Sequence, residues 1–208
     1  MASKPKLTYL NMRGFAEPIR YLLAYANIEY EDRRINPVDF PQEKLSLPYG
    51  QVPVLEINGK MINQSNAITR FVASLCGLTG SDDFEAFQIH AMADTIMDLR
   101  NFFGDSFWRP IEQDEEHVQA RKEEHLRNDI IPFYLSRFEK TVKENNGYFV
   151  NGKLSYADVM FAALELHFSN CLEEDITSSY PVLKELVEKV NTIPRIKEWI
   201  DNRPITEF

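Results

Sequence analysis

The apolar residues of this chain change their spacing at about residue 76, and this change constrains the fold more than any other feature. Before that point, segments with strand spacing alternate with segments with helical spacing, which is typical of an α/β layer. Beyond it, apolar residues recur at helical spacing and no convincing strand pair is present. A polar, glycine-containing segment at residues 77–83 separates the two patterns. We therefore predict an α/β domain at residues 1–78 and an all-helical domain at residues 83–208.

The first domain is predicted to have the order β-α-β, then a loop, then β-β-α. Its clearest local signal is Asn58-Gly59, which separates two strand-like segments. This pair favours a hairpin because both central residues of such a turn need a positive φ. The predicted strands are residues 6–10, 29–34, 54–57 and 60–62, and the predicted helices are residues 17–26 and 65–75.

The second domain is predicted to be a helix bundle. Apolar residues follow one helical face over residues 89–103 and recur at i+4 over residues 126–142, where Pro132 is expected to kink the helix. Ser155 and Asp158 have the spacing of a capping box, with Asp where Glu or Gln is usual. Asp158 is therefore interpreted as a structural cap rather than a catalytic acid. Shorter helices are predicted at residues 156–168, 181–190 and 196–200.

The charge and hydropathy of the chain exclude several classes of partner. The 23 Lys and Arg residues against 32 Asp and Glu residues give a formal net charge of −9. This charge repels phosphate backbones and anionic lipid, so we expect no nucleic-acid partner. No apolar run approaches the roughly 20 residues that span a bilayer, so we expect no membrane association. Residues 1–6 lack the pattern of a signal peptide, and a cytoplasmic location is expected.

The cysteines and histidines do not form a recognisable site. Cys76 and Cys171 lie in apolar helical segments with no second cysteine near either. A disulfide framework, a Cys-x-x-Cys redox centre and a thiolate zinc site are therefore unsupported. The four histidines match no metal-binding motif and are interpreted as surface or core residues.

Three local features of the first domain are suited to holding a ligand. Tyr9 ends the first strand, at the edge of the sheet where ligands commonly bind. Val52 precedes Pro53, a pair that can form a cis bond and leave a backbone edge unpaired. Gln64 and Ser65 stand where a strand leads into a helix, so that backbone N–H groups and a hydroxyl could hold a carboxylate. Each feature also has a purely structural explanation: packing for Tyr9, a turn for Pro53 and an N-cap for Ser65.

Together these segments resemble the glutathione-binding domain of cytosolic glutathione transferases, most closely the sigma class, which includes haematopoietic prostaglandin D synthase. The resemblance implies a thioredoxin-like βαβ-ββα domain that binds glutathione, followed by a C-terminal helical bundle that contributes the hydrophobic co-substrate site. The tail is especially similar to nematode sigma-class enzymes. The matching segments are residues 6–14, 17–20, 30–32, 47–56 and 64–68 in the first domain, and the capping box at Ser155, residues 194–200 and Arg203-Pro204 in the second.

The resemblance also implies a role for each matched residue. Tyr9 corresponds to the tyrosine that donates its O–H to the glutathione sulfur and so favours the thiolate, which is the nucleophile. The backbone of Val52, before a cis Pro53, corresponds to the group that pairs with the cysteinyl unit. Gln64 and Ser65 correspond to the anchors of the γ-glutamyl carboxylate. Further glutathione contacts are implied for Phe40, Lys44 and Gln51, and for Asp98, which would reach the glutathione of the partner subunit in a homodimer.

Three positions depart from the family pattern. Phe40 stands where sigma enzymes often have Trp. The Phe side chain lacks the indole N–H donor but still forms the wall of the site. Phe15 stands where the prostaglandin synthase has an Arg that tunes the tyrosine, and Arg13 is a nearby alternative. Met97 stands where the synthase has a metal-binding Asp. We therefore predict no metal and expect prostaglandin isomerisation to be less favoured.

The predicted function is the conjugation of reduced glutathione, as co-substrate, to hydrophobic electrophiles. Two alternatives remain open: a glutathione-dependent prostaglandin isomerase, and a non-catalytic ligand-binding or crystallin-like protein on the same fold. The intact Tyr9, Gln64 and Ser65 argue against the non-catalytic reading. Candidate residues for the co-substrate site are Met12, Phe15, Phe103, Phe107, Trp108 and Phe208.

Overall fold

A computed structural model describes residues 4–107 and 116–206 of the chain. The chain forms two compact units. The first extends to Thr79 and also includes the chain from Asn191 onwards, and the second runs from Gly80 to Val190. The C-terminal segment groups with the first unit because the last helix packs against the first helix. The compact units thus divide the chain differently from the predicted domains, 1–78 and 83–208, at the C-terminal end.

The first unit contains a four-stranded sheet with helices. Its elements are β1 (Lys6–Leu10), α1 (Glu17–Tyr25), β2 (Glu31–Ile35), α2 (Phe40–Glu43), β3 (Val54–Ile57), β4 (Lys60–Asn63) and α3 (Ser65–Leu75), with α9 (Pro194–Asn202) at the C-terminal end. The second unit is helical and contains α4 (Asp83–Phe107), α5 (Glu116–His125), α6 (Ile131–Glu144), α7 (Tyr156–Leu172) and α8 (Pro181–Asn191).

The strand order in the sheet is β2-β1-β3-β4. β1 pairs with β2 in parallel, whereas the β1–β3 and β3–β4 pairs are antiparallel. Asn58 and Gly59 have φ values of 52° and 72°, as the predicted β3–β4 hairpin requires. The predicted βαβ-ββα order is confirmed, and so is the helical bundle that follows it.

The core of the first unit lies where α1 and α3 cover the sheet. Leu7, Leu22, Leu55 and Ile68 have no exposed surface. β1 is an interior strand, so its residues Leu7, Thr8 and Tyr9 are all buried rather than alternating between core and solvent. This places the last buried residue of β1, Tyr9, at the end of the strand.

The second unit is organised around α7, whose residues from Tyr156 to Leu164 are all buried. The predicted capping box is present at its start. The carboxylate of Asp158 accepts hydrogen bonds from the backbone N–H of Ser155 at 2.7 Å, from the Ser155 hydroxyl at 2.8 Å and from the backbone N–H of Phe149 at 2.8 Å. Asp158 is therefore a structural cap, as its position in the sequence predicts.

The helix predicted across Pro132 is present and contains a π-helical turn just before the proline. α5 ends at His125, residues 126–130 form the π turn, and α6 begins at Ile131. Proline has no N–H to donate and its ring crowds the carbonyl four residues earlier, so the chain shifts to the wider i→i+5 pattern before it. Among the described residues, no helix combines the length and the apolarity that crossing a membrane requires.

Candidate active site

A cavity of about 410 Å³ in the first unit brings most of the predicted site residues together. Tyr9 and Leu10 reach it from the end of β1, Val52 and Pro53 from the segment before β3, and Ser65 from the start of α3. All the predicted site residues except Lys44 and Asp98 line it. The complete lining is Tyr9, Leu10, Phe15, Phe40, Gly50, Gln51, Val52, Pro53, Gln64 and Ser65.

Tyr9 is held by the turn that follows β1. Its side chain is only 4% exposed, and its hydroxyl oxygen accepts a hydrogen bond from the backbone N–H of Phe15 at 3.1 Å. Gly14 has a φ of +41°, and a Cβ on it would lie 2.6 Å from the Tyr9 hydroxyl oxygen, so this position needs glycine. A donor on the phenol oxygen polarises the O–H group and makes it a stronger hydrogen-bond donor to an anion.

The segment before β3 contributes backbone to the cavity. The Val52–Pro53 peptide bond is cis. Val52 takes part in none of the strand pairs formed by the described residues, since the pairing of β1 with β3 begins at Val54. Backbone groups of Val52 are therefore outside the sheet ladder at the wall of the cavity.

Gln64 and Ser65 bring the N-terminus of α3 to the cavity. Gln64 has φ 73° and ψ 108°, a conformation that is costly for a residue other than glycine and is often retained at functional sites. Its carbonyl accepts from the N–H of Ile68 at 2.9 Å, which starts the helix, and its side-chain amide reaches Gln51 at 3.4 Å. No side chain caps the first turn of α3. The positive end of the helix dipole at this cavity favours an anionic group.

Two predicted residues lie away from the cavity lining. Lys44 follows α2 and has an exposed side chain. Asp98 lies on α4 in the second unit and is exposed, whereas the neighbouring Met97 is only 6% exposed. Burial together with the Asp98 charge raises the pKa of Tyr134 above its usual range.

Two lining residues were not predicted, Leu10 and Gly50. Gly50 has a φ of +63°, and the only sequence signal for it is its place just before the predicted strand β3.

Among the co-substrate candidates, Phe103 is fully buried and stacks on Phe168 with ring centroids 4.5 Å apart, so it belongs to the core of the second unit. Trp108 and Phe208 lie outside the described residues.

Neither cysteine lines the cavity. Both are free thiols. Burial raises the pKa of Cys76 to about 11, and its Sγ contacts the carbonyl of Val72 at 3.1 Å, so little thiolate forms near neutral pH. Within residues 4–107 and 116–206, no group of three or more His, Cys, Asp or Glu side chains is arranged to hold a metal ion.

The sheet order, the cis proline before β3 and the helical second unit define a thioredoxin-like domain with an attached helical domain. Residues 5–74 match the family description "Glutathione S-transferase, N-terminal domain", and residues 97–203 match "Glutathione S-transferase, C-terminal domain". The chain belongs to the glutathione S-transferase family.

Individual relatives agree with this assignment. Glutathione S-transferase S1 of Drosophila melanogaster is 41% identical over 97% of this chain and 79% of the fly protein. Haematopoietic prostaglandin D synthase of Rattus norvegicus is 35% identical over 98% of both chains. A solved structure described as prostaglandin synthase D of Nilaparvata lugens superimposes with a TM-score of 0.92 at 40% identity, covering 98% of this chain and all of the other.

Proposed function

We propose that the cavity binds reduced glutathione and that the protein transfers its thiolate to hydrophobic electrophiles. The family assignment supports glutathione as the substrate. The observation that carries the proposal is the meeting of three groups in one cavity: the Tyr9 phenol, the unpaired backbone at Val52 and the N-terminus of α3. These groups match the thiol, the peptide backbone and the carboxylate of glutathione.

Tyr9 is the proposed catalytic residue. A free thiol has a pKa of about 8.5, so only a few per cent is thiolate at neutral pH. The Tyr9 O–H, polarised by the Phe15 N–H at 3.1 Å, would donate to the sulfur and favour the thiolate. Lowering the thiol pKa by about two units corresponds to roughly 2.7 kcal/mol in favour of the reactive form. The thiolate then attacks the electrophilic carbon, a C–S bond forms, and an aryl halide loses its halide with the bonding electron pair.

The remaining residues are proposed to hold the peptide. Gln64 and Ser65 would bind the γ-glutamyl carboxylate at the positive end of α3, and Val52 would pair with the cysteinyl backbone. Lys44 and Gln51 are assigned to the glycyl end and backbone, and Phe40 to the wall of the site. The exposure of Lys44 leaves its ammonium able to reach an anionic carboxylate at the mouth of the site.

We further propose a sigma-class homodimer in the cytoplasm. Each unit exposes large apolar side chains, including Met61 and Phe71 in the first and Phe84 and Phe87 in the second, which is typical of surfaces that a partner covers. Asp98 is exposed on α4 and would complete the partner's glutathione site. The two free thiols are consistent with a reducing compartment, and fractionation of cells expressing the protein would test the location.

A second candidate activity is the isomerisation of prostaglandin H2. The similarity to the prostaglandin D synthase of Rattus norvegicus and to the prostaglandin synthase structure of Nilaparvata lugens favours it. Two features of this chain count against efficient catalysis of that kind: the Phe15 side chain has no charge with which to act on Tyr9, and Met97 is buried where the synthase has a metal-binding Asp. Glutathione is proposed as the only co-substrate, without a metal.

One panel of assays separates the candidates. The protein is incubated with glutathione and with an aryl halide, an unsaturated aldehyde, an organic peroxide or prostaglandin H2, in the presence and absence of a chelator. Conjugation of the first two supports the main proposal, and turnover of prostaglandin H2 alone supports the isomerase. Retention on a glutathione resin without turnover of any substrate would instead support a non-catalytic binding protein.

A further inference from the structure

A buried carboxylate on α1 connects the C-terminal end of the chain to the region behind Tyr9. Glu17 and Arg20 have no exposed side-chain surface. The Glu17 Oε1 atom accepts a hydrogen bond from the indole N–H of Trp199 at 2.8 Å and from the guanidinium of Arg203 at 2.7 Å. Trp199 and Arg203 are four residues apart at the end of α9, so both side chains lie on the same side of the helix.

The other oxygen of the same carboxylate holds Arg20. Arg20 Nη1 lies 3.0 Å from Glu17 Oε2, and it also donates to the carbonyl of Met12 at 2.8 Å and to the carbonyl of Arg13 at 3.3 Å. These carbonyls belong to the turn that leads from β1 to α1. One nitrogen of Arg20 therefore fixes the position of this turn, and Glu17 fixes the position of that nitrogen.

The turn fixed by Arg20 is also the one that contacts the Tyr9 hydroxyl. The N–H of Phe15 donates to the Tyr9 oxygen at 3.1 Å, and Gly14 leaves the space that this oxygen occupies. Arg20 also lies near Tyr9 directly, with its Cζ 5.9 Å from the centroid of the Tyr9 ring. A shift of the turn by a few tenths of an ångström would change the hydrogen bond on which the polarity of the phenol depends.

The charges of Glu17 and Arg20 support each other within this connection. Burial opposes ionisation of Glu17, but the charges of Arg20 and Arg203 hold its pKa below the usual range. Burial likewise opposes the Arg20 charge, but Glu17 and Asp32 raise its pKa. From β2, Asp32 accepts from Arg20 Nε at 3.1 Å and from Arg34 at 2.8 Å.

We propose that Trp199 and Arg203 are positioning residues for thiol activation, acting on Tyr9 through Glu17, Arg20 and the Met12–Phe15 turn. Glu17 would otherwise be a buried carboxylate with a single cationic partner, which is a costly arrangement that allows Arg20 to move. The proposal rests on the proposed role of Tyr9. It makes the end of α9 part of the chemistry without any contact with the substrate.

The test compares two matched arginine substitutions at the two ends of α9. Arg203→Met removes a donor to the buried Glu17, and Arg195→Met removes an exposed pair with Glu198. Trp199→Phe deletes the indole N–H but keeps an aromatic ring beside Tyr30. Each protein is assayed with an aryl halide over pH 6–9.5 at saturating glutathione, and its thermal midpoint is recorded.

For Arg203→Met and for Trp199→Phe we expect turnover at neutral pH to fall about three- to tenfold. The midpoint of the pH–rate profile should rise, the KM for glutathione should change less than twofold, and the loss should shrink towards pH 9.5, where the thiol ionises unaided. Arg203→Lys, which retains a cationic donor, should recover most of the turnover, and Arg195→Met should match the parent.

A Tyr9→Phe variant measured in the same series keeps the two proposals distinguishable. If Tyr9→Phe leaves the pH midpoint unmoved, the proposed role of Tyr9 is wrong. If Tyr9→Phe moves the midpoint but Arg203→Met and Trp199→Phe lower only the thermal midpoint, Tyr9 keeps its role and the positioning proposal is overturned, because the end of α9 is then merely structural.

Discussion

The Tyr9 hydroxyl comes from a different element than the groups proposed to hold the peptide, so one atom can be removed with little effect on the rest of the cavity. Tyr9→Phe deletes an oxygen and keeps the buried ring. Binding should survive through Val52, Gln64 and Ser65. If the hydroxyl supplies about 2–3 kcal/mol of thiolate stabilisation, turnover at neutral pH should fall roughly 30- to 150-fold and the pH–rate midpoint should rise. Steady-state kinetics with a reactive aryl halide would measure both, and an unchanged midpoint would contradict the assignment.

The Ser65 hydroxyl is the second single-atom test. Losing a hydrogen bond to a charged group costs about 1.5–3 kcal/mol, so Ser65→Ala should weaken glutathione binding roughly tenfold or more. Ser74→Ala is a matched control, because Ser74 lies on the same helix with its hydroxyl bonded to the carbonyl of Phe71 at 2.7 Å, outside the cavity. Calorimetry should separate the two variants. Equal affinity in both would mean that the Ser65 hydroxyl does not hold the carboxylate, and the structure gives it no capping role either, since Gln64 is the N-cap of α3.

At the scale of elements, the Glu85 carboxylate ties the first turn of α4 to the segment before it and to Lys153. Glu85 accepts from the backbone N–H and the hydroxyl of Ser81, each at 2.6 Å, and pairs with Lys153 at 2.8 Å. The hydrogen bond from Lys153, followed by those from Ser81, lowers the pKa of Glu85 to about 2. Because the folded-state pKa is depressed, the ionised form stabilises the fold above the ordinary value and this contribution is lost as the pH falls.

Glu85→Gln should therefore lower the urea midpoint at pH 7, and the difference from the parent should shrink as the pH falls from about 4.5 towards about 2. Glu185→Gln provides the comparison, because Glu185 forms an exposed pair with Lys189. This substitution should change the urea midpoint little at pH 7 and at the lower pH values. A difference for Glu85→Gln that stays constant down to pH 2.5 would show that the carboxylate charge is not the stabilising feature.

The elements also show where sequence reasoning succeeds. Asn58-Gly59 and the Ser155–Asp158 spacing each encode a backbone conformation within four residues, and both are present in the structure. The π turn before Pro132 was expected only as a kink, because the sequence shows that the proline breaks the i→i+4 pattern but not how the neighbouring carbonyls find new donors.

At the scale of the whole molecule, the prediction concerns the proposed homodimer, in which Asp98 of one subunit would reach the glutathione site of the other. Asp98 is exposed on α4, so Asp98→Ala should leave the fold intact while weakening glutathione binding in a dimer whose two sites share this residue. Sedimentation at micromolar concentration should give a dimer for the parent protein and for Asp98→Ala. A fully active monomer would remove the proposal that Asp98 acts across a subunit boundary.

The parts of the site that the sequence does not predict depend on tertiary contacts. Tyr9, Val52 and Ser65 could be selected because each stands at the end of an element, where ligands commonly bind. The hydrogen bond from the Phe15 N–H to Tyr9 depends on the path of a turn, and the pairing of Glu17 with Arg203 joins residues 186 positions apart. Neither has a periodic or local signature, so neither was predicted.

The pairing of Glu17 with Arg203 also affects the order in which the chain can be completed during synthesis. Glu17 is made well before two of its three donors, Trp199 and Arg203, which follow it by 182 and 186 positions. At roughly 5–20 residues per second, the ribosome takes about 10–40 s to add the 186 residues that follow Glu17 up to and including Arg203. The sheet and α1 are thus made long before α9, and Glu17 has only Arg20 as a donor among these three until Trp199 and Arg203 are added.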